Sequence, residues 1–303
     1  MNFEFYNELI QKIDEKRVLQ KEFMAKHTTF HVGGPADYFV MPKTIEEVQT
    51  VISLCKEHNL PYYVLGNGSN LLVGDKGYRG VIIQLYKEMS AITVEGTKVR
   101  AQAGALLSRI GNVALEAKLT GFEFASGIPG TVGGAVVMNA GAYGGETKDI
   151  LDSATVLTQD GEVLTLYNSE LELGYRTSII AKKGYVVLEA VYQLEKGDKD
   201  AIRARMDELK TQRVTKQPLE FPSAGSTFKR PEGYFAGKLI QDAGLRGFTV
   251  GGAQVSDKHC GFVINKGDAT AADVKALIEQ VSDKVMQEFG VKLEPEVKIL
   301  GEF

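Results

Sequence analysis

The alternation of apolar and polar positions divides the chain into short strands and amphipathic helices. At the start, "MNFEFYNELIQKIDEKRVLQ" sets apolar residues among charges at helical spacing, and a helix is predicted over residues 1–24. Thr44-Ile-Glu-Glu47 reads as a capping box, followed by Ile45, Val48, Ile52 and Cys55 on one helical face. "YYVLG" from Tyr62 and "GVIIQL" (80–85) read as strands. "AITVEGTKVRAQAG" is a predicted hairpin turning at Gly96, and "ATVLTQDGEVLTL" another around Asp160-Gly161. Between them, Leu106, Leu107, Ile110, Val113, Ala114 and Ala117 mark a second helix, and "GYVVLEAVYQL" is a predicted buried strand.

The last third has a different rhythm. A charged helix, "DKDAIRARMDELKTQR" (198–213), marks a candidate domain boundary near residue 200. "GKLIQDAGLRG" predicts a short helix ending at Gly244. "FTVGGAQVS" and "CGFVIN" read as strands. Thr270 opens a long helix with Val274, Leu277, Ile278, Val281, Val285 and Phe289 on one face, and Gly290 ends it. No internal repeat or low-complexity segment interrupts this α+β pattern.

Composition narrows the function classes. The 303 residues are 44% hydrophobic and 24% charged, with net charge −4. No basic footprint favours nucleic acid, and no apolar run is long enough for a membrane span. The N-terminus lacks the apolar core of a signal peptide. Cys55 and Cys260 lie far apart and outside any CxxC pair, so both read as core thiols, with neither a metal site nor a disulfide indicated. A cytoplasmic protein is expected.

Candidate chemistry sits in two glycine-rich stretches. "LGNGSNLL" (65–72) can converge backbone N–H groups on an anion. "ASGIPGTVGGAVVMNAGAYGG" (125–145) holds seven glycines in 21 residues. Neither is GxGxxG or a P-loop. Alone, each is compatible with a plain turn; together in one α+β unit they point to a shared, dinucleotide-sized ligand. Three polar residues also stand where packing does not ask for them: Arg176 beside Tyr175 in "LGYRTS", Ser226 after Gly225 in the "SAGSTFKRP" loop, and Glu296 at the start of a strand in "LEPEVKIL". Singly, each is compatible with a surface arginine, a turn serine and a strand-edge carboxylate.

In order, "TTFHVGGPADYFV" (28–40), "LGNGSNLLV" (65–73), "GIPGTVGGAVVMNAGAYGGE" (127–146), "LGYRTS" (173–178), "AGSTFKRP" (224–231), "GGAQVS" (251–256), "GFVIN" (261–265) and "LEPEVKILG" (293–301) resemble the UDP-N-acetylenolpyruvoylglucosamine reductase (MurB) family. The length resembles the type II form, which lacks a substrate-closing tyrosine insertion. The resemblance implies a two-part FAD-binding module of the vanillyl-alcohol-oxidase (PCMH) type over 25–197, in subdomains 25–85 and 86–197. An α+β substrate-binding domain would follow over 198–292, and a segment 293–303 would bring Glu296 to the active site. It implies non-covalent FAD held by Gly66, Asn67, Gly68, Ser69, Asn70, Gly127, Ile128, Thr131, Gly133, Gly134 and Gly141. Tyr143, Tyr175, Lys216, Lys229 and Asn265 would face the substrate. Arg230 departs from the asparagine many relatives carry. Partners would be small molecules, a UDP-sugar and NADPH, and the enzyme a monomer without metal, nucleic acid or membrane insertion.

The implied reaction passes a hydride from NADPH through FAD to an enolpyruvyl double bond. Arg176 suits the carboxylate of that group, because a guanidinium binds it through a planar fork. Ser226 would deliver a proton to the α-carbon, which a hydroxyl can do only beside a strong developing base. Glu296 would help if protonated or acting through a water. Two other classes stay open on the residues. One is an oxidase on the same module, with flavin linked covalently to one of His27, His31, His58 or His259. The other is a nucleotide-binding regulator without catalysis.

Overall fold

The computed structural model describes residues 2–303. The chain divides into two units, neither of them contiguous. The first comprises residues up to Leu19, Tyr38–Asn67 and Gly80–Gln212; the second comprises Gln20–Asp37, Gly68–Arg79 and Arg213–Phe303. This partition differs from the expected boundaries at 25 and 198.

The first unit is built on a five-stranded antiparallel sheet. Its strands run in the order Val163–Tyr167, Leu151–Leu157, Val186–Gln193, Lys98–Gln102 and Ile92–Glu95. Both predicted hairpins form, turning at Gly96 and Gly161, each with positive φ. The middle strand is buried on both faces, so its sequence reads as an unbroken apolar run. Ala154, Ala190 and Ala101 stand abreast across three strands, all buried. Beyond Ala101, Ala103 receives the short helix Val132–Val137 so closely that a Cβ on Gly133 would sit 3.2 Å from the Ala103 Cβ. Glycine at 133 is a packing requirement.

The N-terminal helix spans only Phe3–Lys12, not the expected 1–24, and a strand Val18–Phe23 follows. Phe5 and Leu9 bury the inner face of that helix, and Asp14 caps a 3-10 turn that redirects the chain. The helix Ile45–Glu57 starts at Thr44, whose hydroxyl accepts from the Glu47 N–H at 3.2 Å. The expected capping box is only half made. Glu47 turns to Arg17 instead, which binds it through both terminal nitrogens, one at 2.7 Å, and to the Lys43 N–H at 2.6 Å. A charge-assisted fork outweighs a second cap bond. The same contact holds the Glu47 carboxyl below the usual glutamate range.

In the second unit, Ser223–Ser226, Phe262–Asn265, Ala253–Val255 and Thr249–Val250 form an antiparallel sheet. "FTVGGAQVS" is therefore two strands, with Gly251-Gly252 as the turn between them. The helix Ala271–Phe289 packs on this sheet through Val274, Leu277, Ile278, Val281 and Val285. Its ends are those predicted, Thr270 and Gly290; the structure adds a Thr270–Asp273 capping box at the first and a left-handed conformation at the second. Asp75 completes the cap, its carboxylate accepting from the Ala271 and Ala272 N–H groups at 2.8 and 2.9 Å. Such caps stabilise by about 0.5–2 kcal/mol. The strand Leu71–Val73 pairs in parallel with Lys298–Leu300. Together these contacts draw 68–79 into the C-terminal unit, which no local pattern announces.

Both cysteines are buried, and burial pushes the Cys55 thiol up to about 12. No helix among the described residues is long and apolar enough to cross a membrane.

Candidate active site

In the first unit the two glycine-rich stretches meet. Asn67 donates to the Pro129 carbonyl at 3.0 Å, and a Cβ on Gly66 would collide with Thr131 Oγ1. Thr131 itself is buried at the start of the helix Val132–Val137, makes no side-chain cap bond, and bridges to Leu106 through its backbone. Gly127 is exposed and Ile128 half-buried. Gly134 differs from its neighbour Gly133. It is exposed, its φ is not positive, and a Cβ there meets only Thr131 Oγ1, at 4.0 Å. Gly68, Ser69 and Asn70 belong to the second unit. Gly68 has φ +64°, and a Cβ would strike the His27 carbonyl.

Past the helix Val132–Val137, Gly141–Ala142 pairs with Gly145–Glu146 in a minimal hairpin. Its two turn residues, Tyr143 and Gly144, both have positive φ, +53° and +87°. That is the mark of a type I′ turn, unusual for tyrosine. Any Cβ on Gly141 would lie 2.8 Å from the Gly145 carbonyl oxygen, so glycine there closes the hairpin. A second tight turn presents Arg176. Gly174 and Thr177 exchange backbone hydrogen bonds at 3.1 and 3.3 Å, with Tyr175 and Arg176 at the tip. Arg176 has φ +55°, a conformation costly for a side chain with a Cβ. Its guanidinium lies over the exposed Tyr175 ring, 5.1 Å from the centroid.

The second unit brings the segments that carry Ser226 and Glu296 side by side. Ser226 is exposed and ends the strand Ser223–Ser226; it is not in a loop, as the sequence suggests. The register to Phe262–Asn265 shifts between Ser223 and Ser226, and Gly225 has φ +75°. This is a bulge, which re-aims a side chain at a sheet edge. The next residues, 227–229, run antiparallel to 294–296. Glu296 N–H donates to the Thr227 carbonyl at 2.8 Å, and Lys229 N–H to Glu294 at 2.8 Å. Asn70 donates to the Glu296 carbonyl at 3.2 Å and accepts from the Lys298 N–H at 3.0 Å. Glu296 thus precedes the strand Lys298–Leu300 rather than beginning it.

The remaining expected residues sort differently. Lys216 is exposed at the end of its helix. Lys229 pairs with Glu294 at 3.2 Å. Asn265 uses its carboxamide on backbone, donating to Phe30 at 3.1 Å and accepting from Gly267 and Ala269, so it serves the turn 265–269. Arg230 stacks on Phe235 at 3.9 Å and donates to the Tyr234 carbonyl, bracing the loop 230–235. Two residues escaped the sequence reading. Asn139, buried with φ +46°, donates to Glu146 at 2.9 Å and to the Gly174 carbonyl at 3.1 Å. Glu146 is held below the usual carboxylate range, first by its hydrogen bond to Lys148, with Asn139 and the charge of Arg176 adding to it. The sequence signals only an asparagine among small residues in "MNAGAYGG", which does not name its partners.

Comparison with known proteins identifies the class. Residues 36–167, which hold both glycine-rich stretches, match the FAD binding domain family, so the chain is of the flavin-dependent oxidoreductase class. Solved alkyldihydroxyacetonephosphate synthase shares this fold over 65% of the chain and 44% of its own, with TM-score 0.51 at 17% identity. Residues 217–300 match the UDP-N-acetylenolpyruvoylglucosamine reductase C-terminal domain. The reductase of Agathobacter rectalis is 56% identical over the full length of both chains. The crystal structure of the Thermus caldophilus enzyme superimposes with TM-score 0.81 and 38% identity, covering 94% of this chain and 99% of its own. The chain belongs to the UDP-N-acetylenolpyruvoylglucosamine reductase (MurB) family. The residues fit its cofactor on structural grounds: exposed helical Gly134 leaves open a space that any side chain would fill.

Proposed function

We propose that this chain reduces the enolpyruvyl group of UDP-N-acetylglucosamine-enolpyruvate, using NADPH and a non-covalent FAD. The observation that carries the reading beyond family membership is the presentation of Arg176 on a strained two-residue turn beside an ionised Glu146. Strain of this kind persists where surrounding structure over-determines it, and it clusters at functional sites. Gly66, Asn67, Gly68, Ser69 and Asn70 would line the pyrophosphate, with the backbone of Gly127, Ile128, Thr131, Gly133, Gly134 and Gly141 against the rest of the cofactor. FAD bound there would supply two-electron transfer between NADPH and the enolpyruvyl double bond.

The chain's own residues do the rest. Arg176 would bind the substrate carboxylate through its fork and stabilise negative charge as it spreads from the α-carbon. Ser226, exposed on its bulge, would give its hydroxyl proton to the α-carbon, completing the saturated ether. Glu296, protonated or through a water, would steady the enolate oxygens. Tyr143, Tyr175, Lys216 and Lys229 are the proposed substrate contacts; Asn265 is assigned to its turn. A monomer in the cytoplasm remains the expected setting.

The test is spectroscopic. Purified protein should show flavin absorption that is lost on denaturation and filtration. Under anaerobic conditions NADPH should bleach it, and the enolpyruvyl substrate should restore it with one equivalent. Bleaching without restoration would assign a different electron acceptor. Yellow colour retained on the denatured chain would assign a covalent flavin oxidase.

A further inference from the structure

The turn that presents Arg176 is gripped from outside at both ends by one short corner, residues 137–139. At the near end, the Asn139 amide donates to the Gly174 carbonyl at 3.1 Å. At the far end, the buried Ser178 hydroxyl donates to the Val137 carbonyl at 2.6 Å and also caps the following helix, accepting from the Ala181 N–H. Asn139 does more. Its second amide bond goes to Glu146 at 2.9 Å, and its carbonyl oxygen accepts from the Lys148 N–H at 2.9 Å. One carboxamide therefore ties together the end of the helix Val132–Val137, the Tyr143 hairpin and the Arg176 turn.

Only asparagine meets every demand at this position. Two acceptors and one donor face its side chain, which fixes the amide orientation. Aspartate would set a carboxylate against Glu146 and lose both donations. The backbone sits at φ +46°, which asparagine tolerates better than most residues. At 1% exposure, water cannot replace a lost bond.

We infer that Asn139 is a positioning residue for the reduction: it sets the Arg176 guanidinium relative to the helix Val132–Val137, and so aligns the substrate carboxylate with the hydride donor. This rests on Arg176 being the carboxylate-binding residue. Misplacement by about 1 Å of a positioning group can cost on the order of 10²-fold in rate.

The experiment is a double-mutant cycle of Asn139→Gly with Arg176→Lys, followed by anaerobic stopped flow. Glycine removes the carboxamide while keeping the left-handed backbone free of strain. Expected for Asn139→Gly is an unchanged flavin spectrum and a reduction rate by NADPH within about twofold of the parent. Reoxidation by the enolpyruvyl substrate should slow on the order of 10–10²-fold. Substrate Kd, read from the oxidised flavin spectrum without turnover, should rise as well. In the Arg176→Lys background the same change should slow reoxidation less than about threefold further, because the guanidinium it positions is gone. Full multiplication of the two single effects would overturn the inference and leave Asn139 a structural residue, with Arg176 untouched. Unimpaired reoxidation by Arg176→Lys alone would instead overturn both the inference and the reading beneath it. If Asn139→Gly yields no yellow protein, Asn139→Ser, which removes the carboxamide without adding charge, carries the same cycle with the same outcomes deciding.

Discussion

Replacing Gly134 by alanine should move two properties in opposite directions. In the free protein the new methyl group has room, since its nearest neighbour is Thr131 Oγ1 at 4.0 Å and the backbone is already helical. Gly→Ala at a compatible position stabilises by about 0.4–1 kcal/mol, chiefly by restricting the unfolded chain. Apoprotein should therefore melt about 1–4 °C higher. With flavin bound, the methyl would occupy ligand space. Overfilling a packed contact costs about 1–3 kcal/mol, which is roughly 5- to 150-fold in Kd. At FAD 100-fold above the parent's Kd, ligand stabilisation is about 2.7 kcal/mol, and a tenfold weaker variant retains about 1.4. The melting order of parent and variant should thus invert between apo and FAD-saturated samples. Differential scanning fluorimetry across an FAD titration reads both quantities. Gly133→Ala serves as the contrast: its Cβ would crowd Ala103, so it should lower stability with or without ligand. A Gly134→Ala variant that binds FAD like the parent would refute the argument that this glycine exists for close approach.

Other outcomes follow from the same geometry. Arg176→Lys should keep the fold and the flavin but lose on the order of 10²–10³ in reoxidation rate, because the charge survives and the fork does not; stopped-flow absorbance checks it, and normal turnover would show that charge alone suffices. Ser226→Ala should spare reduction by NADPH and slow reoxidation by about 10²–10⁴-fold, with Ser226→Cys recovering part; equal slowing of both steps would remove the proton-donor role. Glu47→Gln should destabilise the protein by about 1.5–3 kcal/mol at neutral pH. Because the folded Glu47 carboxyl lies below the ordinary range, its contribution is present above about pH 4.3 and fades as pH falls through the folded value. Urea unfolding of both proteins at pH 7 and pH 3 should show the gap closing, and a gap independent of pH would argue that the carboxylate's charge is not what Arg17 holds.

Local chemistry was legible in the sequence, and distant pairing was not. Thr270 and Gly290 announce their helix because caps act within a few residues. The hairpins at Gly96 and Gly161 declare themselves in the same way. Ser226 was read as a loop residue because a bulge shows no alternation, and only its pairing with Phe262 makes it a strand. Glu47 was read as a cap because nothing nearby says that Arg17, 30 residues away, competes for it. Asn139 was missed for a related reason: its partner carbonyl lies 35 residues on, so its value is invisible until the chain is folded. The catalytic candidates were legible through motif resemblance, while the arrangement that strains Arg176 was not.

The pairing of Leu71–Val73 with Lys298–Leu300 sets a timetable for synthesis. Asn70 and Glu296 are 226 residues apart, so the second is made long after the first. At about 5–20 residues per second, the segment 68–79 waits roughly 11–45 s for its partners. During that interval Leu71, Leu72 and Val73, all buried in the finished protein, have no native strand to lie against. A nascent chain that has not reached Lys298 cannot complete the second unit, however long it pauses. A nascent chain stalled before Lys298 should therefore expose this strand to chaperones and proteases, and the arrival of Lys298–Leu300 is the event that ends its vulnerability.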